Sequence, residues 1–283
     1  MRPNDTAAFA ALAGEPVLAI ERAEFDRARR LISELAGIQL SPHKRQMVHN
    51  RLSRRLRAHG LASFGAYLDL VERDPREREA FVNALTTNLT AFYREPHHFE
   101  LLAAQAAEHL RTQRRPLRVW CSACSTGEEA WSIAMTLREA GCAAEVLASD
   151  IDTDALETAA GGVYPAERAA ALSAARRRQH LLRGVGANEG WVTVRPELRP
   201  MVRFAQLNLQ SAEWPPMEPF DVVFCRNVVI YFDREAQRRL LERFTRVLRA
   251  GGLLIVGHAE SFPATHPSFR ACARTAYRFE PAS

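Results

Sequence analysis

No run of this chain is apolar for long enough to span a membrane, and its first residues, MRPNDTAAFAALAGEP, lack the basic-then-apolar order of a signal peptide. Cysteine is scarce: five residues, Cys121, Cys124, Cys142, Cys225 and Cys272, an odd and scattered set. That pattern excludes a disulfide framework and leads to the expectation of a cytoplasmic protein with reduced thiols. Cys121 and Cys124 have redox-motif spacing but no second CxxC and no nearby histidine, so no metal ligand set is expected. Acidic residues are absent from Leu35 to Leu68, a stretch that holds Lys44, Arg45, Arg51, Arg54, Arg55 and Arg57. The net charge of +5 is modest for 283 residues, so this local excess says more than the total. The length permits one large domain or two smaller ones with a sizeable core.

What is present is organised around LRVWCSACSTGEEAWSIAMTLREAGCAAEVLASDID, Leu117 to Asp152. Leu117, Val119 and Trp120 read as a strand, Ser125-Thr126-Gly127 as a tight turn, and Trp131, Ile133, Met135 and Leu137 as an amphipathic helix that Gly141 can stop. Val146 and Leu147 form a second strand with Asp150 at its C-terminal edge. A βαβ unit with a glycine turn, and an acid roughly 20 residues on, suits an adenosine cofactor whose ribose hydroxyls the acid accepts. The turn has one glycine rather than three, so it makes no cradle for a pyrophosphate. Glu128 and Glu129 at the helix start would repel a phosphate. A cofactor with a positive end fits better, and S-adenosylmethionine carries an ammonium and a sulfonium.

Residues 1 to about 20 read as a flexible, Ala-rich lead-in. Residues 21–85 read as a small all-α domain. Phe25, Leu31, Ile32 and Leu35 recur at helical spacing, and Ser41-Pro42 opens a second helix that His59-Gly60 closes. In it Val48, Leu52 and Leu56 form the apolar stripe, with Arg51, Arg54 and Arg57 on the other side. A third helix covers Phe64 to Val71, and Asp74-Pro75 separates it from a fourth. The basic face lacks the aromatics or module of a nucleic-acid binder and is suited to an acidic protein surface. Residues 86–99 form a polar and aromatic linker in which Asn88, Thr90 and Arg94 can turn toward one ligand. Arg94 is matched to a carboxylate by its guanidinium fork.

Residues 100–283 are expected to form a doubly wound α/β domain. A helix is expected at Asp154–Ala160. From about 163 to 200 the alternation lapses, and AARRRQHLLR, a glycine-rich loop and WVTVR suggest an inserted hairpin-bearing subdomain. Val202 to Leu209 resumes the sheet and FDVVFC, Phe220 to Cys225, is a buried strand ending at Arg226-Asn227. A helix runs from Arg234 to Arg249, LLIVGH follows as a strand, and Tyr277 to Phe279 is the last. Asp150, Asn208 and Asn227 all fall at C-terminal strand edges, where such sheets bind ligands.

Five ordered blocks, NALTTNLTAFYREPHHF, CSTGEEAWSIAMTL, ASDID, FCRNVVIYFD and GLLIVGHAESF, resemble the chemotaxis receptor methyltransferases, the CheR family, and the likeness extends over almost the whole chain from about residue 20. The resemblance implies a Rossmann-like class I methyltransferase domain with an inserted small β-subdomain, preceded by a small all-α domain. It implies methyl transfer from S-adenosylmethionine to glutamate side chains of bacterial chemoreceptors, with S-adenosylhomocysteine as product and no metal. Arg94 would hold the methionine carboxylate, with Asn88 and Thr90 in the same pocket. Glu128, or its neighbour Glu129, would meet the ammonium, and Asp150 the ribose diol. Asn208 would accept from the adenine amino group and the Leu209 N–H would donate to its ring. Arg226 and Asn227 would line the floor, and Tyr231 would stand near the methyl group as a positioning side chain.

Arg51, Arg54, Arg55 and Arg57 would dock on the receptors' cytoplasmic methylation helices. The inserted subdomain, with its RGVGANEG loop, would add a receptor C-terminal tail peptide as an extra strand, as in some members. The protein would be cytoplasmic and recruited to membrane receptor arrays, without membrane insertion or nucleic acid. Ala130 and Ala259 depart from the Pro and Ser common in the family, at positions with no chemical role to lose.

Overall fold

The computed structural model describes residues 19–281, so the lead-in expected over residues 1–20 lies, through residue 18, outside the described residues. The chain divides into two compact units between Thr86 and Thr87. Among the described residues no helix is long and apolar enough to cross a membrane.

The first unit consists of α1 (Arg22–Ala36), a 3₁₀ turn (Pro42–Lys44), α2 (Arg45–Ala58), α3 (Phe64–Arg73) and α4 (Pro75–Leu85). Pro42 thus opens a 3₁₀ turn rather than the helix itself, because residues 42–44 come first and α2 starts at Arg45. Each helix has a chemical start or stop. Glu21 and Glu24 make a reciprocal capping box on α1, and Gly37, in the left-handed region at φ 71°, ends it. Asp74 caps α4, with Pro75 in the first turn. Phe25, Ile32, Val48, Leu52, Leu56, Phe64, Leu68, Val71 and Phe81 are buried together as the apolar stripes of these helices. Inside sits one acid, Glu77. It accepts from Arg55 at 2.9 and 2.6 Å and from the Tyr67 hydroxyl at 2.8 Å, and lies 2.7 Å from His59 Nε2.

The second unit is built on a seven-stranded sheet in the order β6-β2-β1-β7-β8-β10-β9. The strands are β1 (Leu117–Cys121), β2 (Ala144–Asp150), β6 (Val202–Gln206), β7 (Phe220–Cys225), β8 (Leu248–Val256), β9 (Phe269–Ala273) and β10 (Ala276–Phe279). The first five pair in parallel, while β10 is antiparallel to β8 and β9. Successive side chains on the strands alternate between two cores, as the pleat requires. Val119, Val146, Val222 and Ile255 pack with α5 (His97–Thr112) and α6 (Glu128–Glu139). Trp120, Leu147, Val223 and Leu254 pack with α9 (Arg234–Val247) on the other face.

Between α7 (Thr153–Gly161) and β6 the chain leaves the sheet. It forms a small antiparallel sheet, β3-β5-β4, from β3 (Val163–Pro165), β4 (Leu181–Arg183) and β5 (Trp191–Val194), with α8 (Ala174–His180) between β3 and β4. The doubly wound domain with its insertion is therefore present, with some boundaries moved. Strand β6 stops at Gln206 instead of Leu209, and α9 stops at Val247 instead of Arg249. In the latter case Leu248 already pairs with Phe220, so strand pairing takes the last residues of the apparent helix. β9 was not expected at all.

Candidate active site

The strand order reverses between β1 and β7, and the segments leaving β1, β2, β6, β7 and β8 all emerge at the C-terminal edge beside that switch point. After β1, the turn bonds to both neighbours. Ser122 N–H donates to Phe224 O and Cys124 N–H to Ser149 O, each at 2.9 Å. Gly127 closes the turn at φ +96°. A Cβ there would lie 2.7 Å from Ala159 Cβ and 2.9 Å from the Tyr164 hydroxyl, so only glycine fits. Asp150 receives the Ser125 N–H at 2.7 Å and the Asp152 N–H at 3.0 Å, which aims its carboxyl across the turn. Burial holds the Asp150 carboxyl above the usual carboxylate range, with the backbone N–H groups pulling the other way.

Asn88 joins this cluster as a tie. Its amide nitrogen donates to Asp152 at 2.7 Å and its oxygen accepts from the Ser125 hydroxyl at 3.0 Å. Thr90 is half-buried in the same segment. Arg94 donates to Leu89 O at 2.8 Å and has no ion-pair partner among the described residues. The backbone on either side of it is unusual: Tyr93 and Glu95 have φ of 53° and 59°, Ser125 50° and Asn227 58°. Of the five non-glycine residues with positive φ among those described, these four surround the strand-edge cleft, the distribution expected of a functional site.

The two glutamates of α6 separate here. Glu128 is fully buried and spends both oxygens, on Arg168 at 2.5 Å and on the Thr126 hydroxyl at 2.7 Å. Glu129 meets the Cys121 thiol at 3.3 Å and Arg226 at 2.5 Å. Arg226 in turn donates to Arg94 O at 2.6 Å. Both glutamates thus have both oxygens engaged, Glu128 with Thr126 and with Arg168 of the inserted subdomain, and Glu129 with Cys121 and Arg226, which places Glu129 on the Arg94 side. After β6, Asn208 Oδ1 accepts from Gln210 N–H at 2.9 Å. Leu209 O is held by Arg243 at 3.1 Å, and that guanidinium lies 5.5 Å from the Trp214 ring centre. Tyr231 is half-buried in the 3₁₀ turn Val229–Tyr231, where Gln237 donates to Val229 O at 3.2 Å and Phe232 O at 3.0 Å.

Sequence reasoning did not single out Arg168, Arg243 or Glu260. Each acts on backbone or on a buried partner from a distant segment, and no spacing rule links them. All five cysteines are free thiols, and burial pushes the Cys121 and Cys124 thiols up, away from reactivity. Glu95, His97 and His98 bring ligand-type atoms within 4.8 Å of one another, a grouping the sequence reading did not anticipate. Glu95 also lies 3.4 Å from the Arg226 guanidinium and 3.2 Å from His258, and a fixed positive charge at that distance opposes a metal ion.

The docking face narrows. Arg51 donates to Leu85 O at 3.1 Å and Thr86 O at 2.5 Å, capping α4, and Arg55 is bound to Glu77. Arg54 and Arg57 remain exposed.

The side chains near this edge, a guanidinium without a carboxylate partner at Arg94 and the carboxylates of Glu129 and Asp150, are of the types that would hold S-adenosylmethionine. Residues 88–278 match the family model described as CheR methyltransferase, SAM binding domain, and residues 23–86 match CheR methyltransferase, all-alpha domain. The chemotaxis protein methyltransferases of Klebsiella aerogenes and Escherichia coli are each 48% identical over 266 residues, which is 92% of this chain and 90% and 92% of those proteins. Chemotaxis protein methyltransferase 2 of Pseudomonas aeruginosa is 47% identical over 260 residues, 90% of this chain and 92% of that one. Among solved structures, the plantazolicin methyltransferase BpumL in complex with SAH aligns with a TM-score of 0.35 and 12% identity over 82% of this chain and 58% of that chain. With both units matched in order, the chain belongs to the CheR methyltransferase family.

Proposed function

We propose that the chain methylates glutamate side chains of bacterial chemoreceptors to γ-methyl esters, as an S-adenosylmethionine-dependent protein-glutamate O-methyltransferase of chemotactic adaptation. The observation that carries this is the placing near one sheet edge of Arg94, whose guanidinium has no ion-pair partner among the described residues, with Glu129 and Asp150. When bound, S-adenosylmethionine supplies an activated methyl group on a sulfonium. Arg94 holds its carboxylate, with Thr90 alongside and Asn88 tying the segment in place. Glu129 faces the ammonium and Asp150 the ribose. Asn208 and the Leu209 N–H read the adenine, Arg226 and Asn227 form the floor, and Tyr231 orients the acceptor beside the methyl group.

No side chain has to move a proton. A glutamate carboxylate is ionised at neutral pH and is already the nucleophile. Alignment for in-line displacement is the main contribution of the protein. S-adenosylhomocysteine leaves as product, and no metal takes part.

The family names of the relatives support a chemotaxis role, and the exposed Arg54 and Arg57 supply positive charge for acidic methylation helices. A receptor tail peptide fits the free edge of β4 in the inserted sheet, beside the exposed Leu182 and Trp191. On this reading the protein works in the cytoplasm and is recruited to receptor arrays.

The test uses methyl-labelled S-adenosylmethionine, receptor-rich membranes and purified protein. Label on the receptor that mild base releases as methanol, and that disappears when acceptor glutamates become alanine, is the expected result. Base-stable label, or none, would overturn the proposal.

A further inference from the structure

We infer that Glu260 is a positioning residue for methyl transfer, acting as a carboxylate clasp on the strand ends that carry Asn227 and Tyr231. The inference rests on reading the strand-edge cleft as the methyl-transfer site.

Glu260 follows β8 and is 5% exposed, yet it has no ion-pair partner among the described residues. Its partners are backbone amides. Oε2 accepts from the N–H groups of Asn227 and Gly257, and Oε1 from that of Val229, each at 2.8 Å. Its own N–H donates to Gly257 O at 2.9 Å, which closes the turn that carries the side chain. Backbone donors on a carboxylate are among the stronger protein hydrogen bonds. Gly257 is glycine for the same reason. A Cβ there would sit 2.5 Å from Asn227 Nδ2 and 2.9 Å from Glu260 Oε2.

Two of the three clasped amides flank the reacting region. Asn227 is held at φ 58°, a conformation that costs free energy and persists only where its surroundings enforce it. Val229 begins the turn whose third residue is Tyr231. The clasp therefore fixes the entry and the pitch of the segment that presents Tyr231, from a side chain in the turn that follows the neighbouring strand β8. The anchors for the cofactor, Arg94, Glu129 and Asp150, lie on other segments. Loosening the clasp would disturb methyl alignment more than cofactor affinity, and a misplacement of about 1 Å can cost roughly a hundredfold in rate.

Glu260→Gln tests this. Its amide keeps one acceptor oxygen and turns an NH₂ toward a backbone donor, so at least one clasp bond is lost. The expected result is kcat for receptor methylation down tenfold or more, S-adenosylhomocysteine affinity within threefold by calorimetry, and faster hydrogen exchange at Asn227 and Val229. Glu260→Asp, which retains both acceptors on a shorter arm, should fall between the variant and wild type and serves as the test if the first variant does not fold. A merely structural role would lower the melting temperature and leave kcat per folded molecule unchanged, and that result overturns the inference. Unchanged exchange at both amides overturns it too. If wild-type protein itself methylates no receptor, the functional reading falls first and the positioning role with it. If wild type is active and Glu260→Gln matches it, only the positioning role falls.

Discussion

Neighbouring residues in the first turn of a helix project about 100° apart, so Glu128 and Glu129 face different surroundings although the sequence presents them as a pair. Glu128 turns to Arg168 and Thr126, with no exposed surface, and Glu129 turns to Arg226 and Cys121. One substitution chemistry applied at both sites separates the two roles. On the proposed assignment, Glu129→Gln removes the carboxylate that faces the ammonium. A hydrogen bond to a charged group contributes about 2 kcal/mol, so cofactor affinity should weaken roughly thirtyfold. Glu128→Gln should leave affinity within a few-fold and lower the melting temperature, because Arg168 then loses a fully buried partner. Calorimetry with S-adenosylhomocysteine on both variants decides the matter. Equal affinity losses would sink the assignment to Glu129.

Among the elements, those with strong periodicity were legible and those defined by partners were not. Strand β7, FDVVFC, is buried at all six positions and could be read as an apolar run. Strand β9, FRACA, buries only Phe269 and gives no alternating signal, so an edge strand that exists through its pairing with β10 left no trace in the pattern. On α2, spacing correctly put Arg54 and Arg57 outside. It could not show that Arg55 reaches across 22 residues to Glu77, or that Arg51 closes the end of α4. The site divides in the same way: Asp150 follows from a βαβ rule, whereas Glu260, although it lies within the GLLIVGHAESF block, clasps backbone amides of a segment some thirty residues earlier, which no spacing rule shows.

Glu77 gives the all-α unit a pH dependence. Burial pushes its carboxyl up, but the hydrogen bonds from Arg55, Tyr67 and His59 outweigh burial and leave it below the usual range. A depressed carboxyl contributes stability above the unfolded value, about 4.3, and that contribution is lost as pH falls through the folded value. Glu77→Ala should therefore cost about 2 kcal/mol near neutrality, and the gap from wild type should shrink below about pH 4. Thermal unfolding of both proteins from pH 7 to 3 would check this. A gap that stays constant across the range would rule it out.

Across the whole molecule the chemistry and the basic face belong to different units, since Arg94, Glu129, Asp150 and Glu260 follow the break after Thr86 and the exposed Arg54 and Arg57 precede it. On the proposed function, the charged residues of the cleft are assigned to the cofactor, and recognition of an acidic helical substrate is assigned to the positive charge on the α-helical unit. Exposed charges act on encounter more than on bound-state affinity, and salt screens them over a length of about 8 Å at physiological ionic strength. Replacing Arg54 and Arg57 by Glu changes the local charge by four, from +2 to −2, while touching neither Glu77 nor the α4 cap. The double variant should lose at least tenfold in kcat/KM for receptor methylation at low salt, and less as ionic strength rises. Its affinity for S-adenosylhomocysteine and its melting temperature should stay at wild-type values. A loss independent of salt would assign the two arginines to fixed contacts rather than steering. Equal loss of cofactor binding would show that the variant had damaged the fold, and full activity would remove α2 from receptor recognition.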